Sequence, residues 1–146
     1  MIYLPDTNVL SRYLRGRSEA AALCDRLEAA LPDCRLSAIV LMELEYGAEK
    51  CPHVPAFRAR LTRLREVFLG VAPFDATAAC QAGYVRAWLA RLRPNAQPIG
   101  PYDVLLAGHA LSLGAVFVTG NTAEFSRVPG LAVEDWRVPA GRKHQE

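Results

Sequence analysis

Apolar runs and segments of helical spacing alternate along the chain, which predicts an α/β protein. The first run, Ile2-Tyr3-Leu4-Pro5, has strand character and ends at Asp6, after which Thr7 and Asn8 turn the backbone toward a short helix over 9–14. Pro5 is tolerable only because it stands last, where its missing donor disturbs the ladder least. Ser18 is placed to cap a helix over 19–31, and Pro32 and Asp33 end it. A brief strand over 34–37 leads to a helix over 38–47 with Ser37 as its cap. Residues 51–55 connect to a helix carrying Phe57, Leu61, Leu64 and Phe68 on one face. A third strand, over 71–74, precedes a long helix over 76–92, capped by Asp75 and turning Tyr84, Val85, Trp88, Leu89 and Leu92 to the core. Residues 93–98 read as a polar loop of the kind that rims active sites. Pro101 fits the first turn of a further helix, Gly114 ends it, and Ala115-Val116-Phe117-Val118-Thr119 reads as a buried parallel strand.

Composition narrows the class. The chain has 146 residues, 51% hydrophobic and 22% charged, enough for one domain with a real core. No apolar run approaches the roughly 20 residues that span a bilayer. The N-terminus lacks a signal peptide's basic region and cleavage site, and Cys24, Cys34, Cys51 and Cys80 show neither CxxC nor His-linked metal spacing. Free thiols in a reducing cytoplasm are the expectation. Net charge is only +2, but of the 17 basic residues all except Lys50 and Lys143 are arginine, whose planar fork suits phosphate. A codon bias toward arginine explains the same count equally well. Arg58, Arg60, Arg63 and Arg65 lie mostly off the apolar face of their helix. They could contact RNA, although a solvated face is the commoner meaning of such a pattern.

Candidate chemistry gathers around carboxylates. In an open parallel sheet, ligands sit beyond the carboxyl ends of the strands, where Asp6 falls. Asp6 is equally placed to cap the following helix. Asp103 stands in the first turn of its helix, where the macrodipole stabilises an anion. Because that helix runs into a parallel strand, its N-terminus lies at the same sheet edge as Asp6. Glu43 follows five apolar residues and is either a paired, buried acid or a solvated one on a helix edge. Asn121 and Glu124 leave the last apolar strand toward the same cluster. Several carboxylates at one place repel one another unless cations neutralise them, and hard oxygen donors favour Mg²⁺ or Mn²⁺ over zinc. Setting those three acids aside leaves 17 basic against 12 acidic residues, +5, which suits a phosphate-bearing partner. With no Walker or dinucleotide loop and no GxSxG elbow, the chemistry on offer is metal-assisted phosphodiester hydrolysis.

The motifs Leu4-Pro5-Asp6-Thr7-Asn8, Glu43-Leu44-Glu45-Tyr46-Gly47-Ala48-Glu49-Lys50, Gly100-Pro101-Tyr102-Asp103 and Val118-Thr119 leading to Asn121, Glu124 and Phe125 occur in this order. With Arg127-Val128-Pro129-Gly130-Leu131 and Glu134-Asp135-Trp136, they make the chain resemble the PIN-domain ribonucleases, specifically VapC-type toxins of type II toxin–antitoxin pairs. The resemblance covers residues 1–136, leaving 137–146 as a polar tail. It implies a PIN-like α/β/α sandwich around a central parallel sheet, and Asp6, Glu43 and Asp103 as ligands of Mg²⁺ or Mn²⁺. A fourth acid of the family is replaced by Asn121, so Glu124 is the candidate for that catalytic role. Thr7 and Ser37 are read as hydroxyls that orient the carboxylates, with Thr119 and Asn121 also in the surrounding shell. His109 is read as a packed, hydrogen-bonded residue rather than a proton carrier. The resemblance further implies a cytoplasmic endoribonuclease acting on tRNA, initiator tRNA first, a homodimer, a VapB-type antitoxin and operator DNA reached only through the antitoxin. A structure-specific DNA nuclease and a catalytically impaired binding module are the alternatives.

Overall fold

The structure is a computed structural model that describes residues 1–92 and 99–137. The loop expected over 93–98 lies outside them, as does the tail expected over 137–146 except Arg137. The expected α/β/α architecture is present, around a parallel sheet of short strands. Strand β1 (Tyr3–Pro5) is followed by helices α1 (Thr7–Arg15) and α2 (Arg17–Ala30), a 3-10 turn at Leu31–Asp33, strand β2 (Leu36–Ser37) and helix α3 (Ala38–Lys50). Helix α4 (Pro55–Val67), strand β3 (Val71–Ala72) and helix α5 (Ala76–Arg91) come next. The chain closes with α6 (Pro101–Leu113), β4 (Val116–Val118), α7 (Thr122–Phe125) and β5 (Val133–Glu134).

β1 pairs parallel with β4, Leu4 opposite Phe117, and β4 pairs parallel with β5, Phe117 opposite Val133. β2 pairs with β3, and a Tyr3–Cys34 bridge joins this pair to β1. The spatial order is therefore β3-β2-β1-β4-β5. Connections run outward on either side of β1 and β4, and the crevice between those strands at their carboxyl ends is where a parallel sheet exposes a site. The three residues of β4 are all buried, and neighbours on a strand point to opposite faces, so both faces of the sheet are covered. Past Pro5 the ladder continues through the Asp6 N–H, which donates to the Val118 carbonyl at 2.9 Å. That bond seats Asp6 at the crevice.

Two helices differ from expectation. Ser18 caps nothing: α2 begins at Arg17 after Gly16, whose φ of +106° only glycine adopts at little cost, and Ala20 interrupts the helix with φ −149°. Arg17 pairs with Asp25 and Glu28 and holds that irregular first turn against the rest of α2. Tyr84 is 43% exposed rather than core-facing. The buried stripe of α5 is Ala78, Ala82, Val85 and Leu89, and its small members let α6 approach closely. Trp88 is half-buried, and its Nε1 donates to the Arg127 carbonyl at 2.9 Å. Among the described residues no helix is long and apolar enough to cross a membrane. All four cysteines are free, and burial pushes the Cys34 thiol up to about 12.

Candidate active site

Asp6 is a cap and a pocket carboxylate at once. Its Oδ1 accepts from the Val9 N–H at 2.8 Å, which starts α1, yet the residue also lines a cavity of about 440 Å³ and is only 4% exposed. Burial raises its proton affinity; hydrogen bonds from the Thr119 hydroxyl and the Val9 N–H oppose this, and the charge of Glu43 adds to it. Asp103 lines the same cavity from the first turn of α6, whose cap is Gly100 and whose first residue is Pro101. Its carboxyl is pushed up to about 6 by burial, then by the charges of Asp6 and Glu43. Glu43, on α3, accepts from Thr7 Oγ1 at 2.7 Å. The three acids, from residues up to 97 positions apart in a chain of 146, thus act on one another electrostatically.

The surrounding residues divide differently from the expectation. Thr119 bonds Asp6 and accepts the Asn121 N–H at 3.1 Å, and Asn121 itself lines the cavity. Ser37 makes no hydrogen bond to a carboxylate among the described residues. Its Oγ accepts from Ile39 N–H at 3.1 Å, capping α3, and meets His109 Nδ1 at 2.9 Å. Standing at the end of β2, the serine is engaged by the helix that follows and by the imidazole. His109 is 1% exposed, sits edge-on to Phe74 at 5.5 Å, and has its pKa lowered by burial. It is a neutral structural link between α6 and the start of α3. Glu124 does not line the cavity, and its Oε2 is buried without a hydrogen-bond partner among the described residues.

Among the described residues no three His, Cys, Asp or Glu side chains converge closely enough to hold an ion as they stand. The donor chemistry nevertheless fits a hard divalent cation. Asp6 and Asp103 share one cavity; the charge of Glu43 makes both harder to ionise and that of Asp6 adds to the effect on Asp103, a repulsion that such a cation would relieve. Arginines complete the lining: Arg12 and Arg15 from α1, and Arg137 from beyond β5. Nothing in the sequence marks these three, because their place depends on contacts between distant elements. The arginines of α4 go elsewhere, Arg58 to Glu45 and Glu49, and Arg60 to the Leu14 carbonyl at 2.6 Å.

The PIN domain family profile matches residues 3–131. The chain belongs to the PIN-domain family. It is 37% identical over 134 residues to the tRNA(fMet)-specific endonuclease VapC of Shigella flexneri, covering 92% of this chain and 97% of that protein. Ribonuclease VapC2 of Rickettsia felis is 31% identical over 139 residues, covering 93% and 98%. Among solved structures, this PIN domain superposes on DNA-bound VapBC from Salmonella typhimurium with a TM-score of 0.80 at 36% identity, covering 93% of this chain and 98% of that one. Against VapBC2 of Rickettsia felis bound to a promoter DNA fragment, the TM-score is 0.79 at 29% identity, covering 93% and 99%. The likeness places the PIN domain within the VapC group.

Proposed function

We propose that this PIN domain is a cytoplasmic, Mg²⁺- or Mn²⁺-dependent endoribonuclease toxin that cleaves tRNA and is restrained by a VapB-type antitoxin. The observation that carries the reading is the shared cavity of Asp6 and Asp103, with Glu43 close enough to raise the proton affinity of both. The tRNA substrate rests on the name of the 37% identical relative, and the antitoxin on the VapBC complexes among the similar structures. Those two complexes also hold DNA, which supports operator binding by the toxin–antitoxin complex; in this reading the antitoxin makes the DNA contacts. A homodimer belongs to the same reading. Four free thiols are consistent with a reducing compartment.

Asp6, Asp103 and Glu43 would hold the metal. Mg²⁺ or Mn²⁺ bound there supplies charge neutralisation at the phosphate and a water of lowered pKa. The chain's own residues position these groups. Thr7 fixes the Glu43 carboxylate, Thr119 and the Val9 N–H fix that of Asp6, and Asn121 offers a neutral oxygen at the cavity wall.

The test is purified protein, free of antitoxin, on total tRNA with Mg²⁺, with Mn²⁺ and with EDTA. Discrete fragments are expected with either ion, and none with EDTA or with the Asp6→Ala protein. Fragments that survive EDTA and the substitution would refute the reading, as would a folded wild type that leaves every tRNA intact.

A further inference from the structure

The cavity that holds the acids is bipolar. Its floor carries Asp6 and Asp103, while Arg12, Arg15 and Arg137 share its lining. Opposite charges in one cavity ordinarily pair, yet no ion pair joins any of these arginines to Asp6 or Asp103 among the described residues. Arg12 and Arg15 stand three positions apart on α1, so they share a face, and both are exposed. Neither guanidinium has a hydrogen-bond or ion-pair partner among the described residues. Most other arginines that face carboxylates do pair, as Arg17, Arg26 and Arg58 show.

Arg137 is held differently. Its Nε donates to both oxygens of Asp135, at 3.0 and 3.1 Å, and its Nη2 to Asp135 Oδ2 at 2.6 Å and to the Gly120 carbonyl at 3.3 Å. Nη1 has no partner among the described residues. The guanidinium lies so close over Gly120 that a Cβ there would stand 3.1 Å from its Cζ. Its plane is therefore fixed by a carboxylate on one edge and a backbone on another, and one N–H pair is left over. A pre-oriented donor beside two free guanidinium groups is a phosphate-binding arrangement, since fork geometry and charge both match phosphate oxygens.

We propose that Arg12 and Arg15, with Arg137 as an oriented donor, grip phosphates of the nucleic-acid strand on either side of the bond cut over Asp6 and Asp103. This rests on the ribonuclease reading and adds residues to it. The acidic floor repels a polyanion, and the arginine wall supplies the attraction that keeps the strand there. Arg137 contributes less charge than the other two, because Asp135 neutralises much of it.

The experiment measures binding of a labelled single-stranded RNA, and of DNA of the same sequence, to the full chain in EDTA over a series of KCl concentrations. The Arg12→Ala/Arg15→Ala protein is expected to bind roughly 10-fold more weakly. Its log–log salt slope should be shallower by about 1.4, since each phosphate contact on a single strand contributes about 0.7. Arg137→Ala and Gly120→Ala should each weaken binding by a few-fold, the second without removing any charge. Arg86→Ala on α5, outside the cavity, should leave affinity and slope unchanged. With Mg²⁺, the double substitution should raise KM far more than it lowers kcat. Equal losses on RNA and DNA support phosphate contacts. Wild-type cleavage with an unaltered slope in the double variant overturns this inference alone. A wild type that binds no RNA overturns the ribonuclease reading with it.

Discussion

The Asp103→Asn protein is expected to lose cleavage on the order of 1,000-fold and yet to melt at a higher temperature than the wild type in EDTA at pH 7.5. The first effect follows because metal-ion stabilisation of a developing charge is worth several kcal/mol, and each 1.36 kcal/mol is tenfold in rate. The second follows from the electrostatics of the cavity when EDTA keeps metal away. Burial and the charges of Asp6 and Glu43 push the Asp103 carboxyl up to about 6, so its ionised form works against folding. Between its unfolded value near 4 and that folded value, the native state binds more protons than the unfolded one. Stability therefore falls as pH rises through that window and stays lowered above it. After discount for the solvent that reaches a half-buried group, the loss is about 1–2 kcal/mol. Thermal melts in EDTA at pH 5 and pH 7.5 check this. The wild type should melt higher at pH 5 by a margin that Asp103→Asn reduces. A variant that melts lower than the wild type at pH 7.5 would contradict the repulsion argued here. The repulsion then lowers stability at a site kept for function, and a divalent cation bound there should raise it again.

The second large effect concerns Gly108. A Cβ at this position would stand 2.3 Å from the Ala82 nitrogen, 2.4 Å from its Cα and 2.7 Å from its Cβ. These neighbours are mostly backbone and cannot rotate away, so α5 and α6 must separate. Overpacking of this kind costs about 3 kcal/mol, which for a domain of this size lowers Tm by about 10 °C. In an open helix Gly→Ala would instead stabilise by up to about 1 kcal/mol, so the sign of the change is decisive. α6 also carries Asp103 in its first turn and His109 beside Gly108, and a displaced α6 moves both. Scanning calorimetry of Gly108→Ala gives the stability. Cleavage by whatever fraction remains folded should fall as well. A variant as stable as the wild type would mean that the two helices do not cross at Gly108.

Much of this architecture is legible from residue order. The apolar runs before Asp6 and after Gly114 give the two central strands, and a helix that leads into a parallel strand must begin at the sheet's carboxyl edge. That argument alone brings Asp6 and Asp103 to one side of the sheet. What stays hidden depends on contacts between residues far apart in the chain. Ser37 and His109 meet across 72 positions, and no local rule tells the serine to take an imidazole rather than a carboxylate. The start of α2 is not legible, because a serine looks like a better cap than a glycine and nothing local announces the positive φ of Gly16 or the break at Ala20. Tyr84 reads as core-facing beside Val85, Trp88, Leu89 and Leu92, whereas the buried stripe against α6 runs through Ala78 and Ala82. The arginines of the cavity carry no sequence mark at all. They become visible only when α1 and the segment after β5 are seen around the same space.

Whether Asp6, Glu43 and Asp103 share a divalent cation is decided by calorimetric titration of Mn²⁺ into the metal-free protein at pH 7.5. The wild type is expected to take up Mn²⁺ with saturable heat and a raised Tm. Asp6→Asn and Asp103→Asn, although folded, should bind it at least roughly 10-fold more weakly. A folded wild type that takes up no Mn²⁺ at millimolar concentration, or variants that bind it as well as the wild type does, would contradict the claim.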